Sequence, residues 1–459
     1  MKRSRSPLGR REFMAGSAAL LAGSPLIAGS AGRRPNVILI TADDLGWKEL
    51  GAMGNRDVQT PNLDRLAGEG VLFTNAFVSA ASCSPSRASI MTGQAPHSVG
   101  VLGLTHRYPQ YQMSVRVPTL ARSLLHEGYA TAMFGKWHVA PFKPVQAFGY
   151  QARLCPAGIN GPEPINNFIR RHRRQPFFME LNFIQPHRLG DGRFRQDPDF
   201  AVDPASIRVP EYWRVPDWPE IREDVARYYS QIARMDRIIG QIVERLDAEG
   251  LGENTLIAFV SDNGAPYPGC KTTCYDPGIG TPLILRWPGG LPAGWRVDDL
   301  ASTIDLMPSC LDAAGVAVPE TVQGVSLLGL GRGESGPAHE EVFSEITYHV
   351  IYTPMRSIRT RRHKYIENLS DDPTMLDQNA RFDWARRVAQ EPGQTCCRPR
   401  PPEELFDLDA DPREENNLAA DPASAAVKAE LRDRLHKWRQ ATRDPFPDLS
   451  GNSRFRKEK

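Results

Sequence analysis

Asn36-Val37-Ile38-Leu39-Ile40-Thr41 is a continuous run of mainly aliphatic side chains near the start of the chain. A run of this length without polar alternation is typical of a strand buried on both faces, as in a parallel sheet covered by helices. Two adjacent acids, Asp43 and Asp44, follow it almost directly. In open α/β sheets ligands bind at the carboxyl ends of strands, so this pair marks a first candidate site.

Beyond this strand, predicted strands and helices alternate over the first three quarters of the chain. The sequence predicts further strands over residues 129–134, 177–184, 255–261 and 282–287. It also predicts a helix that begins at Thr60-Pro61 and helices over residues 86–91, 119–126, 224–249 and 303–314. This order predicts an α/β sandwich with a largely parallel central sheet.

The pattern changes at about residue 340. Short strands are predicted over 342–346, 355–359, 364–366 and 404–412 without helices between them, followed by a helix over 425–440. They predict a smaller α+β subdomain with an antiparallel sheet. Residues 371–402, rich in Asp, Arg, Gln and Pro, are expected to run over the surface. The predicted domains are therefore an export signal over 1–32, a catalytic domain over 33–339 and a C-terminal subdomain over 340–459.

The N-terminus is typical of an export signal. Arg10-Arg11-Glu12-Phe13-Met14 precedes a small, apolar stretch over residues 15–28, and small residues follow at 29–32. This pattern is typical of twin-arginine signals and predicts a periplasmic or extracellular protein. A retained anchor is the alternative reading, although glycine and proline interrupt the apolar stretch, and no other stretch reaches bilayer length.

Composition restricts the class of partner. The chain has 459 residues, and its 56 Lys and Arg nearly balance its 54 Asp and Glu, for a net charge of +2. This balance argues against a nucleic-acid partner. Seven cysteines fit an exported protein, but the pairing of the six other than Cys83 cannot be decided from sequence.

The most specific motif is Cys83-Ser84-Pro85-Ser86-Arg87, which Thr92-Gly93 follows. If residues 86–91 are helical, Cys83 lies at the helix start, where free N–H groups and the helix dipole favour an anion. Arg87 adds a fixed positive charge. A Cys-Ser-Pro sequence alone is more often a free cysteine in a capped turn, but the whole motif is a more specific match.

Further polar residues follow the other predicted strands. Asp262-Asn263 comes directly after the strand over 255–261, and four oxygen ligands at two strand ends favour Ca²⁺ or Mg²⁺. Lys136 and His138, two residues apart after the strand over 129–134, would face one pocket. His187 is a candidate general acid, although a lone histidine of this kind is more often structural. Lys271 is a candidate second cation and could equally be a solvated loop lysine.

Together these motifs resemble those of type I sulfatases in the alkaline-phosphatase-like superfamily. The resemblance runs from Asn36 to about Leu418. A softer similarity to the heparan N-sulfatase (sulfamidase) subfamily is carried by Gln185-Pro186-His187-Arg188, residues 261–268 and Pro354-Met355-Arg356-Ser357. The family resemblance implies that a formylglycine-generating enzyme oxidises Cys83 to formylglycine, whose hydrated aldehyde is the nucleophile.

The resemblance also implies residue roles. The divalent cation, usually Ca²⁺, would be bound by the modified Cys83 with Asp43, Asp44, Asp262 and Asn263. Arg87 would hold the formylglycine hydrate with His138 beside it, and the sulfate would be surrounded by Lys136, His187 and Lys271. The subfamily has aspartate at the position of Gln185 and arginine at the position of Lys271. At the second of these positions O-sulfatases commonly have lysine, as this chain does.

Three functions therefore stay open. The first is a sulfatase acting on a sulfated glycan, with the N-sulfate of glucosamine in heparan or heparin fragments favoured over an O-sulfate. The second is a phosphonate or phosphate monoester hydrolase of the same superfamily, because the two kinds of ester share shape and metal chemistry. The third is a non-catalytic sulfoglycan-binding protein. The oligomeric state is also open, with a homodimer as one option.

Overall fold

The structure is a computed structural model that describes residues 34–106, 110–141, 145–334, 339–370, 382–391 and 400–445. The predicted export signal, Cys396, Cys397 and most of the segment 371–402 lie outside the described residues. In the part of the chain that is described, no helix is long and apolar enough to cross a bilayer.

An eight-stranded, largely parallel sheet forms the centre of the protein, as predicted. Its strands are β1 (Asn36–Ala42), β2 (Val71–Phe77), β3 (Ala130–Gly135), β4 (Ala152–Leu154), β5 (Phe177–Asn182), β6 (Thr255–Ser261), β7 (Leu283–Arg286) and β8 (Trp295–Ser302). Their order is β4-β3-β5-β1-β6-β7-β2-β8, and β7 runs antiparallel to both of its neighbours. The sequence had not indicated β2, β4 or β8. The segment Trp295–Ser302 carries Arg and Asp side chains, which an edge strand tolerates but a hydrophobic pattern does not reveal.

Helices cover both faces of this sheet. The described helices are α1 (Pro61–Gly68), α2 (Cys83–Thr92), α3 (Leu120–His126), α4 (Glu163–His172), α5 (Pro219–Ala248), α6 (Asp276–Ile279), α7 (Leu306–Ala313), α8 (Leu328–Gly331), α9 (Asp383–Gln390) and α10 (Ala425–Ala441). The last of them, α10, packs on the smaller C-terminal sheet instead. The long helix α5 begins five residues before the predicted start at 224, with Pro219 at its first position. Its polar first turn had hidden this extension.

Alternate residues of the central strands enter two separate cores. Ile38 and Ile40 of β1 pack with α1, α4 and α5, whereas Val37 and Leu39 pack with α2, α3 and α7. Each of these four side chains is at most 1% exposed. Because both faces are covered, β1 carries no polar face, which explains its continuous apolar sequence.

The predicted antiparallel sheet follows. It consists of β9 (Glu341–Tyr348), β10 (Tyr352–Thr360), β11 (His363–Asn368) and β12 (Glu403–Asp407), in the order β12-β11-β10-β9. Buried ion pairs tie it to the first domain, because Asp276 of α6 contacts Arg359 at 3.2 Å and also contacts Lys364. The division at residue 340 stays a prediction.

The described part of the segment 371–402 does more than run over the surface. Within it, α9 places Trp384, Ala385 and Val388 in the core that covers one face of the central sheet. The expectation of a surface excursion is therefore wrong for residues 382–391. These three apolar side chains are spaced at i, i+1 and i+4, a helical pattern that the polar composition around them concealed.

Candidate active site

Polar side chains gather where four neighbouring strands end. Asp43 and Asp44 follow β1, Asp262 and Asn263 follow β6, His187 comes soon after β5, and Lys136 and His138 follow β3. These strands are adjacent in the order β3-β5-β1-β6, so their carboxyl ends meet at one edge. Helix α2 begins at Cys83, which adds Cys83 and Arg87 to this edge. With Lys271 in the loop after β6, the structure brings all ten predicted site residues together.

Asp44 has an unusual backbone. Its φ of 70° lies in the left-handed region, which a residue with a side chain seldom adopts. The Asp44 N–H donates to Asp262 Oδ1 at 3.1 Å, and the Tyr228 hydroxyl donates to the Asp44 carbonyl at 2.9 Å. Strained conformations persist where surrounding contacts fix them, and they concentrate at functional sites.

Three cations neutralise the three buried carboxylates. Lys136 Nζ lies 2.6 Å from Asp43 Oδ2, and Lys271 Nζ lies 2.6 Å from Asp44 Oδ1. Arg87 contacts Asp262 Oδ2 through Nε and Nη2, both at 2.8 Å.

The charges shift the pKa values of the carboxyl groups in opposite directions. Burial alone would raise the pKa of Asp43, but Lys136, His187 and Arg87 outweigh it and hold that pKa well below its ordinary value. Burial and the nearby negative charge of Asp43 raise the pKa of Asp262 to about 6 despite Arg87. Additional positive charge at the site would therefore favour the ionised form of Asp262.

The donor set fits a hard divalent cation. Asp44 Oδ2 and Asn263 Oδ1 are buried oxygens that accept no hydrogen bond from the described residues. The Asn263 amide nitrogen donates to Asp44 Oδ1 at 2.8 Å, which turns the free amide oxygen the other way. Ligand atoms of Asp43, Asp44, Cys83 and His187 lie within 4.8 Å of one another. Oxygen-rich sets of this kind suit Ca²⁺ or Mg²⁺.

Cys83 lies against this acidic cluster. Its Sγ is 3.2 Å from Lys271 Nζ and 3.5 Å from Asp43 Oδ1, and the residue is 1% exposed. Burial raises the pKa of the Cys83 thiol to about 12, although Lys136 and Lys271 oppose the shift. Such a thiol stays protonated at neutral pH, so the unmodified cysteine is a poor nucleophile here.

His187 is oriented by the backbone. Its Nδ1 lies 2.5 Å from the Arg188 carbonyl oxygen. Because a carbonyl only accepts, Nδ1 carries a proton, and Nε2 faces Asp44 Oδ2 at 3.7 Å. Burial lowers the pKa of His187, while Asp44 and Asp43 partly restore it. The free Nε2 is the atom that can exchange a proton with a substrate.

His138 lies against another histidine, His106. Its Nε2 is 2.8 Å from His106 Nδ1, and the two rings stack with centroids 4.9 Å apart. Burial, Lys136 and His106 hold the pKa of His138 well below its ordinary value. A neutral imidazole beside Lys136 can accept or donate a hydrogen bond without adding charge.

Five of the predicted site residues line a pocket of about 500 Å³: Asp43, Cys83, Lys136, His138 and His187. The sequence had not singled out two histidines of its wall, His106 and His349. His349 follows β9, and its Nδ1 lies 2.8 Å from the hydroxyl of Ser82, the residue before Cys83. No local motif surrounds His106 or His349, so only the folded arrangement reveals that they belong to this site.

Asn182 is a further residue that the sequence had not indicated. It ends β5, and its Oδ1 accepts a hydrogen bond from Arg87 Nη1 at 2.8 Å. Its amide nitrogen donates to Glu180 Oε1 at 2.8 Å, and the Tyr150 hydroxyl donates to the other oxygen of Glu180. Burial raises the pKa of Glu180. This buried chain fixes the guanidinium of Arg87 from behind.

We expect Asn182→Ala to lower kcat by about ten- to a hundred-fold, because a hydrogen bond to a charged group contributes about 1.5–3 kcal/mol. KM should change less, since Asn182 holds Arg87 rather than the substrate. Steady-state kinetics on a sulfated substrate measures both. Asn36→Ala is the matched control: Asn36 is an equally buried asparagine at the opposite end of the sheet, hydrogen-bonded to Thr255. Equal losses of kcat in both variants would rule out a positioning role.

Comparison with known proteins assigns the class. The sulfatase family model matches residues 35–156 and 163–316, and the model for the C-terminal region of N-sulphoglucosamine sulphohydrolase matches residues 270–381. The chain belongs to the sulfatase family and is an enzyme that hydrolyses sulfuric esters or sulfamides. The predicted family, fold class and enzyme class are thereby confirmed.

Several individual proteins are similar to this chain over most of its length. Human N-sulphoglucosamine sulphohydrolase is 32% identical over 92% of this chain and 93% of its own length. An ulvan-active sulfatase of Formosa agariphila is 28% identical over 90% of this chain and 76% of its own. A solved structure in complex with its substrate, D-glucosamine-2-N,6-O-disulfate, superposes with a TM-score of 0.70 at 22% identity, covering 91% of this chain and 99% of the other. That last likeness shows the fold.

Proposed function

We propose that this sulfatase removes the N-sulfate of glucosamine residues in heparan or heparin fragments. The observation that carries the proposal is the similarity to human N-sulphoglucosamine sulphohydrolase over nearly the whole chain. The match to the C-terminal model adds support because residues 270–381 include His349, which lines the active-site pocket.

The site residues divide the chemistry among themselves. Oxidation of Cys83 to formylglycine would supply a hydrated aldehyde, one hydroxyl of which attacks sulfur while the other later releases sulfate. Lys136 and Lys271 would stabilise charge on the sulfuryl oxygens, and Arg87 would hold the modified side chain. Asp43, Asp44, Asp262 and Asn263 would hold a divalent cation, most simply Ca²⁺, which adds positive charge at the same place.

His187 would protonate the leaving group through Nε2. This proton matters most for a sulfamide, because an amine leaves far more easily when it is protonated. Burial lowers the pKa of His187 overall, and the carboxylates of Asp44 and Asp43 oppose that shift and so favour the charged imidazolium that has to donate the proton.

An O-sulfatase is the second candidate, and two residues favour it. Lys271 stands where the N-sulfatase subfamily has arginine, and its Nζ lies 2.6 Å from Asp44 and 3.2 Å from Cys83 Sγ. Gln185 stands where the subfamily has aspartate, so this position carries no negative charge.

The experiment is desulfation of defined glucosamine and uronate saccharides that carry a single N-, 2-O- or 6-O-sulfate, with protein whose formylglycine content has been measured. We expect release from the N-sulfated saccharides with a higher kcat/KM than from the others. Release from the O-sulfated compounds alone would overturn the N-sulfatase proposal and support the second candidate. Turnover of phosphate or phosphonate esters in preference to all sulfates would instead support a phosphohydrolase.

We further propose that a formylglycine-generating enzyme matures the protein and that residues 1–32 direct export. The Cys83 motif and the Arg10-Arg11 pair support these proposals. Intact mass and peptide mass spectrometry of protein from its host would reveal both changes: an N-terminus near residue 33, and the mass loss that converts the Cys83 thiol to an aldehyde. Protein that stays in the cytoplasm would contradict the export proposal, and an unprocessed N-terminus in the exported fraction would instead support a retained anchor.

A further inference from the structure

A second groove adjoins the active-site pocket. It has a volume of about 530 Å³ and is lined by Leu189, Asp191, Arg193, Phe194, Arg195, Gln196 and Arg227. Leu189 also lines the active-site pocket, so one side chain forms a wall of both. Leu189 is 43% exposed, which is unusual for a large aliphatic residue here. An exposed aliphatic side chain between two polar sites offers a surface for the apolar face of a sugar ring.

The groove is basic. Three arginines face it, against Asp191 as its acid. Arg193 and Arg195 form no ion pair with the described residues, and Arg227 has only a distant contact, 3.9 Å from Glu223. One oxygen of Asp191, Oδ1, accepts the backbone N–H of Arg193 at 3.0 Å, and the single negative charge of this residue leaves the groove net positive. Arg193 and Arg195 are therefore available to an anion from solution.

The backbone that carries these arginines is firmly anchored. Leu189 N–H donates to the Arg193 carbonyl at 2.8 Å, which closes a turn, and Gln231 of α5 donates to the Arg195 carbonyl at 2.9 Å. Phe194 between them is 2% exposed and packs under the Arg188 guanidinium at 4.1 Å. Arg193 and Arg195 are exposed on either side of the buried Phe194, so both charges face outward. The charges are thus presented by a fixed scaffold.

We propose that this groove is an extension subsite that binds the carboxylate or sulfate groups of a second saccharide unit, joined to the sugar held in the active-site pocket. The inference rests on the proposed function in taking the substrate to be an anionic glycan. Guanidinium groups suit carboxylate and sulfate oxygens because they offer paired donors in one plane. The enzyme should accordingly prefer oligosaccharides to monosaccharides.

The test compares Arg193→Gln/Arg195→Gln with wild type on a sulfated monosaccharide and on a heparin-derived tetrasaccharide with the same sulfated sugar at its end. The control is Arg171→Gln/Arg174→Gln, which removes the same charge from exposed positions at the end of α4 and beyond. We expect the groove variant to lose roughly five- to ten-fold in kcat/KM on the tetrasaccharide, mainly through KM, and nothing on the monosaccharide. Added salt should weaken the wild-type preference and leave the groove variant little affected.

Equal kcat/KM ratios of tetrasaccharide to monosaccharide in the groove variant and wild type would overturn the inference, as would the same loss in the control. The comparison uses whichever sulfate position the enzyme hydrolyses, so an error in the N-sulfate assignment does not affect it. If no sulfated saccharide is turned over, the proposed function fails, and calorimetric binding of the tetrasaccharide decides the subsite separately. Binding that is equally tight with and without Arg193 and Arg195 would then contradict it.

Discussion

Cys83→Ala should abolish sulfate release and leave the protein folded. Removing the nucleophile of a covalent mechanism costs on the order of 10⁶-fold in kcat, so activity should fall to the limit of detection. The effect on stability should be small, because the loss is a single sulfur atom in the wall of a polar pocket rather than within an apolar core. Sulfate release and thermal unfolding, measured on the same preparations, test both statements.

Cys155→Ala is the matched control, since Cys155 is a free, partly exposed cysteine elsewhere on the surface. It should keep full activity, which separates loss of the nucleophile from general effects of removing a thiol. Cys83→Ser is a second informative variant, because serine keeps a hydroxyl but cannot form a hydrated aldehyde. Substantial turnover by Cys83→Ala would remove Cys83 from the mechanism and with it the formylglycine proposal.

The parts of the fold that the sequence predicted are those where burial is complete. The apolar runs of β1 and β6 and the long amphipathic face of α5 leave a strong pattern because every position or every turn meets a core. β8 was missed because as an edge strand it carries exposed charged residues, and α9 because a polar segment surrounds its few core residues. The hydrophobic pattern in the sequence is weaker where a strand or helix is short or is only partly covered by the core.

The site could be predicted to a similar degree. Its acids and bases were found because they directly follow predicted strands or belong to the Cys83 motif. Asn182 was missed because it ends a buried strand and therefore resembled a core position, although it contacts Arg87. His349 was missed because it comes from the small sheet, far from Cys83 in sequence, and only tertiary packing brings it to Ser82. Long-range contacts of this kind have no local signature.

The second large effect concerns the cation. Adding Ca²⁺ should raise the thermal unfolding temperature of the wild-type protein, because a ligand that binds only the folded state stabilises it by about 2.7 kcal/mol at a hundred times its Kd. For a chain of this size that corresponds to a rise on the order of 3 °C. Chelation should reverse the shift, and parallel titrations with Mg²⁺ would show which ion the site prefers.

Asp44→Asn should remove this shift and lower kcat/KM by about 10²- to 10³-fold, the size of effect seen when one electrostatic stabiliser of a transition state is lost. The substitution keeps the side-chain volume but removes a charge from a set in which Asp44 Oδ2 accepts no hydrogen bond from the described residues. Asp236→Asn is the control, since Asp236 is an equally buried acid, 1% exposed, outside the active site. Its carboxylate accepts hydrogen bonds from Asn62 and Leu63 of α1. Whatever its own unfolding temperature, this variant should keep the calcium-dependent rise. A rise of equal size in Asp44→Asn would mean that the stabilising ion binds elsewhere. The carboxylates at the ends of β1 and β6 would then act on the substrate only by positioning Lys136, Lys271 and Arg87.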